Sequence, residues 1–438
     1  MNIDQTTLKD LSIFSYNEDV SIYSLLDFTI TNDGKRWLKF LLNNPHNDIH
    51  KINDAQLTIQ QIIEVHDKWP KVITNGTSMV MERFYNSVID AIPYNPGIIS
   101  ASLYKFLKRG DYSLINYSVT HAIDLLKGMQ QFVELFSNKP DLSSTLKTTI
   151  MQVDLILQKK VVKSMIAHHS KKRSIATTLD FGNYLLFEFK TSVFELIEHY
   201  GKLDAYYSLA TATITHRFNF PDFTDSQVPF IEGSGLFHLL LPKPTPYNVS
   251  MNKESNFIFL TGANMAGKST FIKSIGIAVY LAHLGMSVPA QSFHLSVFNG
   301  LLSNIQVADN IVKGESYFYN EVQRIKKTIV KVNNGEKWLV LIDELFKGTN
   351  VQDAMRCSTE VIKGLLKIKN SLFIVSTHLY EISDEFKDNN NIAFRYFETQ
   401  VTEDKLIFNY QLREGVSNDR LGYLILKREG VIDLMNNL

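Results

Sequence analysis

The groups in this chain best suited to chemistry are one lysine, its neighbouring serine, and a pair of adjacent carboxylates further along. Gly262 to Ser269 read G-A-N-M-A-G-K-S, a complete G-x-x-x-x-G-K-[ST] pattern, directly after the apolar run Phe257-Ile258-Phe259-Leu260. A run of that length suits a buried strand, and Thr270 to Leu284 carries apolar residues at helical spacing, so the glycines stand where a strand turns into a helix. Backbone N–H groups in such a turn, with the positive end of the following helix, hold phosphate oxygens. The expected cradle for ATP is therefore Gly262, Asn264, Met265, Ala266, Gly267, Lys268, Ser269 and Thr270, with Lys268 on the β and γ phosphates and the Ser269 hydroxyl on Mg²⁺.

Trp338-Leu339-Val340-Leu341-Ile342 is a second apolar strand, and it ends in Asp343-Glu344. Two carboxylates at the end of a buried strand are costly without charged partners, and a magnesium nucleotide supplies them. Asp343 is expected to hold the metal, directly or through water, and Glu344 to orient or deprotonate the attacking water. A third run, Leu372-Phe373-Ile374-Val375, ends in Ser376-Thr377-His378, which places His378 to sense the γ phosphate or the water. The segment Asp309 to Glu321 combines Gly314 and Ser316 before a helix, a turn that can donate hydrogen bonds to phosphate.

Those groups need a frame, and 438 residues are enough for two or three domains. Residues 1–225 read as mostly helical. Thr31-Asn32-Asp33 caps one helix, Pro93 to Gly97 marks a turn, and Asn53 to Val65, Ser102 to Leu107, Asn116 to Leu135, Leu146 to Met165 and Gly182 to Thr215 follow helical spacing. Five prolines between Pro221 and Pro246 mark a boundary. Beyond it, strand and helix alternate and a strand pair spans Ile392 to Gln411, as an α/β sheet with helices on both faces requires.

Charge is balanced, with 45 Lys+Arg against 45 Asp+Glu, so only a local patch can argue for nucleic acid. The densest such patch is Lys159, Lys160, Lys163, His168, His169, Lys171, Lys172 and Arg173; it reads either as a phosphate-backbone contact or as a solvated helix end. The single cysteine, Cys357, excludes an internal disulfide and reads as a packing residue. The start shows no signal-peptide pattern and no run of 18 apolar residues occurs, so the expectation is a cytoplasmic protein that does not contact the membrane.

Together these segments resemble the DNA mismatch-repair protein MutS family, whose ATPase is of the ABC class. The resemblance rests on G262-A-N-M-A-G-K-S-T270, G285-M-S-V-P-A290, D309-N-I-V-K-G-E-S-Y-F-Y-N-E321, L341-I-D-E-L-F-K-G-T-N350 and S376-T-H-L-Y-E381, in that order. Weaker matches are F408-N-Y-Q-L-R-E-G415 and G422-Y-L-I-L-K-R-E-G430 at the tail, and Y23 to L38 and L203 to A210 in the first half. It implies an ABC-type α/β P-loop NTPase at 226–438 with a dimerisation helix at its end, preceded by a helical lever domain at 1–225 with a reduced or absent clamp. It further implies a homodimer with composite ATP sites, to which one subunit brings Lys268, Ser269, Asp343, Glu344 and His378 and the other brings Ser316.

Where the chain departs from the family, the expectation narrows. It starts almost at the levers, so direct mismatched-DNA binding is not expected, and Glu315 stands where the family more usually has a basic residue. The leading reading is an ATPase that moves levers around double-stranded or branched DNA, with other repair or recombination proteins as further partners. The alternative is an ATP-switched protein scaffold without DNA affinity.

Overall fold

In the computed structural model the chain is described at residues 1–14, 21–89, 91–137, 139–169, 172–305, 317–402, 405–417 and 430–436. The opening elements are β1 (Asn2–Ile3), α1 (Gln5–Asp10) and α2 (Ile22–Leu26). Then follow α3 (Asn32–Asn43), α4 (Ile49–Glu64), α5 (Asn75–Asn86), α6 (Ile98–Leu107) and α7 (Arg109–Phe136). The helical half continues with α8 (Ser144–Leu157), α9 (Lys160–Ile166), α10 (Ile175–Phe187) and α11 (Lys190–His216).

Internal contacts divide the chain into two units, residues 26–43 with 53–216, and residues 1–25 with 44–52 and 217–438. A single cut at 225 treats the chain as two consecutive blocks. Instead, β1 pairs in parallel with a strand of the second half, and Ser303 Oγ donates to Asp10 of α1, which returns the N-terminal residues to the sheet unit.

The helical unit is held by α7, 28 residues long, and α11, 27 residues long. Trp69 stacks on Tyr207 of α11 at 4.5 Å between ring centroids and meets Phe132 of α7 edge-on at 4.7 Å. Asp204 of α11 is buried and accepts hydrogen bonds from the N–H groups of Ile30 (2.9 Å) and Thr31 (2.8 Å) and from Thr31 Oγ1 (2.8 Å). Thr31 Oγ1 in turn accepts from Gly34 N–H at 3.1 Å, so the expected cap of α3 is present and anchored.

Two expected long helices are broken. Leu146 to Met165 divides at Gln158-Lys159 into α8 and α9, because Lys159 turns extended and its Nζ reaches Ser192 Oγ at 3.1 Å over the Phe189 ring. Gly182 to Thr215 divides in the same way between α10 and α11. The basic run is partly tied down within its own unit: besides Lys159, Arg173 donates to Thr120 Oγ1 at 2.6 Å and His169 lies 3.4 Å from Asp124. Lys171 lies outside the described residues.

In the other unit come β2 (Asp222–Thr224), β3 (Ile231–Leu236), β4 (Tyr247–Met251), β5 (Phe257–Thr261), α12 (Lys268–His283), β6 (Ser292–Ser296) and β7 (Gly300–Asn304). Next are α13 (Tyr317–Val332), β8 (Trp338–Asp343), α14 (Val351–Leu365), β9 (Ser371–Ser376), β10 (Ile392–Thr402), β11 (Lys405–Glu414) and α15 (Val431–Asn436). Seven strands form one sheet in the order β1-β7-β8-β9-β5-β10-β11, parallel except for β11, which runs antiparallel to β10. Strands β2, β6, β3 and β4 form a second, four-stranded sheet.

The apolar runs read from the sequence are fully buried strands, as a parallel sheet covered on both faces demands. Val340 and Ile342 of β8 share a core with Ile325 of α13 and Ile362 of α14. Leu341, pointing the other way, lies so close to Gly276 of α12 that a Cβ there would meet it at 2.6 Å. Cys357 is partly buried against the first of these cores. At the tail, all of Gly422 to Gly430 except Gly430 lies outside the described residues.

Candidate functional site

Strands β5, β8 and β9 are adjacent and parallel, so their carboxyl ends lie side by side, the place where open α/β sheets bind ligands. The turn after β5 is bent by three residues at positive φ, Gly262 (137°), Met265 (68°) and Gly267 (113°), and Gly267 caps α12 from the left-handed region. A side chain at Gly267 would be strained there, which is why the pattern requires glycine immediately before the lysine.

Lys268 is 4% exposed, and its Nζ donates to the carbonyl oxygens of Gly262 (2.7 Å) and Ala263 (3.0 Å). Ser269 Oγ donates to Asp343 Oδ2 at 2.5 Å, and Ser376 Oγ donates to the other oxygen of the same carboxylate. Asp343 is thus gripped from β9 and α12 at once.

Glu344 takes a positive φ of 59°, and its N–H donates to both the carbonyl and the hydroxyl of Ser376, at 3.1 Å each. Its carboxylate faces two cations, Lys347 Nζ at 2.8 Å and Lys268 Nζ at 3.9 Å, and the His378 ring, whose Nδ1 lies at 3.9 Å. Burial alone would raise the Glu344 pKa, but the hydrogen bond and charge of Lys347, with the charges of Lys268 and His378, hold it below the ordinary glutamate value. Burial lowers the pKa of Lys268, against the opposing pull of Glu344 and Asp343.

An open cavity of about 380 Å³ reaches Lys268, Ser269 and Glu344. It is lined by Asn264, Met265, Gly267, Lys268, Ser269, Thr270 and Glu344, with Tyr247 and Tyr410 among the other walls. Gly262 and Ala266 shape the turn from behind it, Ala266 N–H donating to Ala263 O at 3.3 Å. Of the expected site residues, all but Ser316 are therefore brought to one locality; Ser316 lies outside the described residues.

Three contributors escaped the sequence reading. Ser376 was within a quoted segment, but only the fold shows that it holds both Asp343 and the Glu344 N–H. Lys347 sits in a turn, where a spacing of three residues implies no contact. Glu321 of α13 is buried and accepts from the N–H groups of Lys347 (3.2 Å) and Gly348 (3.3 Å), fixing that turn.

One hydroxyl and one carboxylate, Ser269 and Asp343, form an all-oxygen pair suited to Mg²⁺, which completes its shell with water and nucleotide phosphates. Among the described residues no group of three or more His, Cys, Asp or Glu is placed to hold a metal. Again among the described residues, no helix is long and apolar enough to cross a membrane.

Residues 258–433 match the family described as MutS domain V. The DNA mismatch repair protein MutS of Thermotoga maritima is 28% identical over 252 residues, 57% of this chain and 31% of that protein. The protein of the same name from Petrotoga mobilis is 26% identical over 248 residues, 56% of this chain and 30% of the relative. That from Bacillus subtilis is 28% identical over 237 residues, 52% and 27% respectively. The matched region thus spans less than a third of the length of these relatives.

Proposed function

We propose that the MutS domain V through which this chain joins the MutS family is a working ATPase of ABC type, and that the chain is an ATP-dependent DNA-binding protein. The observation that carries the reading is the meeting of Lys268, Ser269 and Glu344 on one cavity at the ends of three parallel strands, with Asp343 bonded to Ser269 and His378 beside Glu344. Bound Mg²⁺ would neutralise charge on the phosphates and bridge them to the protein, held by Ser269 and Asp343. Lys268, now turned onto the carbonyls of Gly262 and Ala263, would exchange those bonds for phosphate oxygens. Glu344 is a weak base while Lys347 lowers its pKa, so its role is to orient water rather than to take a proton early. His378 stands 3.9 Å from Glu344, where it would sense the γ phosphate.

The finer reading is a homodimer with composite sites, Ser316 of each subunit completing the other's, and closure on ATP moving the helical domain as a lever on duplex or branched DNA. Its DNA contact would respond to shape and phosphate charge rather than to a mispaired base. The test is fluorescence titration of homoduplex, mismatched, branched and single-stranded DNA, with and without ATP and across salt concentration. Salt-dependent binding of duplex or branch that shifts with ATP is expected. Intact ATP hydrolysis with no affinity for any of the four would replace the reading with a protein scaffold.

A further inference from the structure

Strand β1 is two residues long, too short a pairing to fasten the N-terminus to β7 by itself. The fastening comes from a polar cluster around Ser303, near the carboxyl end of β7. Ser303 N–H donates to Thr7 Oγ1 at 2.9 Å and its hydroxyl to Asp10 Oδ2 at 2.5 Å; Asp10, 1% exposed, also accepts from Ile305 N–H at 3.0 Å. The Ser303 carbonyl accepts from Arg324 of α13, at 2.6 Å from Nη2 and 3.2 Å from Nε. Arg324 then forks onto Asp4, Nη1 to Oδ2 at 2.6 Å and Nη2 to Oδ1 at 3.1 Å, while Asp4 caps α1 by accepting from Thr7 N–H at 2.9 Å. Burial would raise the Asp4 pKa, but the Arg324 and Thr7 hydrogen bonds and the Arg324 charge bring it down to about 2, so the fork stays ionised through the neutral range.

Arg324 stands three positions after Glu321, on the same face of α13. Glu321 holds the N–H groups of Lys347 and Gly348, and Lys347 Nζ lies 2.8 Å from the Glu344 carboxylate. One face of α13 is thus gripped by the N-terminal segment at Arg324 and, a turn earlier, grips the segment that steers Glu344. We propose that Asp4 and Arg324 are positioning residues for ATP hydrolysis: by fixing α13 against the end of β7, the N-terminal segment sets where Lys347, and hence Glu344, stands. The inference rests on the reading of Glu344 as the residue that orients water. It assigns the first residues of the chain a part in turnover that neither the phosphate loop nor the paired carboxylates contain.

The test is a set of full-length variants assayed for Mg-ATP affinity and for single-turnover hydrolysis. Arg324→Gln should slow hydrolysis about tenfold, within the roughly 100-fold that a misplacement of about 1 Å can cost, while Mg-ATP affinity stays within about twofold of wild type. Asp4→Asn keeps an N-cap acceptor for α1, which guards against a chain that fails to fold, and should show the same split. Adding Arg324→Gln to Glu344→Gln should slow hydrolysis no further, because the effect passes through Glu344; a residue that only stabilises the fold would add its own loss. Wild-type hydrolysis by Arg324→Gln, equal losses of affinity and rate, or a further loss of about tenfold on top of Glu344→Gln would each overturn the proposal. If Glu344→Gln itself hydrolyses normally, the water-orienting assignment fails and takes this inference with it; slow Glu344→Gln beside normal Arg324→Gln sinks this inference alone.

Discussion

Replacing Lys268 by methionine separates a structural from a functional role for this buried cation, because the structure sets the two costs far apart. Taking an ammonium out of water costs several kcal/mol. Two hydrogen bonds to the carbonyls of Gly262 and Ala263 return about 1.5–3 kcal/mol each, and attraction to Glu344 at 3.9 Å is worth about 4 kcal/mol at an effective dielectric of 20. Replacing a buried charge by an apolar side chain of similar length removes the burial cost together with these gains, so Lys268→Met should change the stability of the nucleotide-free protein by less than about 3 kcal/mol. The usual loss of about 3–5 kcal/mol on breaking a buried ion pair does not apply, since Glu344 keeps Lys347 at 2.8 Å.

Turnover should behave otherwise. A cation aimed at developing phosphate charge is worth about 3 kcal/mol, so phosphate release should fall roughly 100-fold. Urea unfolding followed by the buried Trp338 of β8, beside a phosphate-release assay, reads both quantities on the same preparation. Turnover within threefold of wild type, or a stability loss above about 3 kcal/mol, would refute the reasoning that this lysine is held ready for a phosphate.

Glu344→Gln should still bind Mg-ATP, because Lys268, Ser269 and Asp343 are untouched, yet hydrolyse it about 100-fold more slowly; equilibrium binding beside single-turnover hydrolysis checks the split. Ser376→Ala removes a donor to Asp343 and an acceptor from the Glu344 N–H, and should raise the Mg²⁺ concentration needed for half-maximal turnover about tenfold with little change at saturating metal. His283 is fully buried, its Nε2 accepting from Phe298 N–H at 2.9 Å and its Nδ1 facing Val279 O at 2.8 Å, and burial depresses its pKa to about 3. The unfolded chain therefore takes up this proton first, near pH 6.5, and stability should fall by about 1.4 kcal/mol for each pH unit from there down towards pH 3. His283→Gln should flatten that slope in urea titrations between pH 6.5 and 5, and an unchanged slope would remove His283 as its source.

What the sequence could and could not disclose follows from the range of the forces involved. Strands β5, β8 and β9 were legible because a strand buried on both faces must be apolar throughout, and the turn after β5 because only glycine tolerates the φ at position 267. The convergence of Lys268 with Asp343 and Glu344 followed once those strands were taken as parallel neighbours. By contrast, the breaks at Gln158-Lys159 and before α11 left no local mark. Lys159 abandons helical geometry to reach Ser192 and the Phe189 ring, partners separated from it by some thirty residues, and no helical propensity encodes that.

The grip on the paired carboxylates is likewise non-local. Glu344 is steered by Lys347, Lys347 sits in a turn whose N–H groups are held by Glu321, and Glu321 lies in α13. Phe346, in the same turn at a φ of 58°, is costly for a bulky residue and is kept there by packing on Phe318 of α13. Helix α13 is therefore joined by one ring contact and two hydrogen bonds to the turn that carries Lys347, and through Lys347 to Glu344. A shift of α13 would reach Glu344 through these contacts and the Lys347 ion pair.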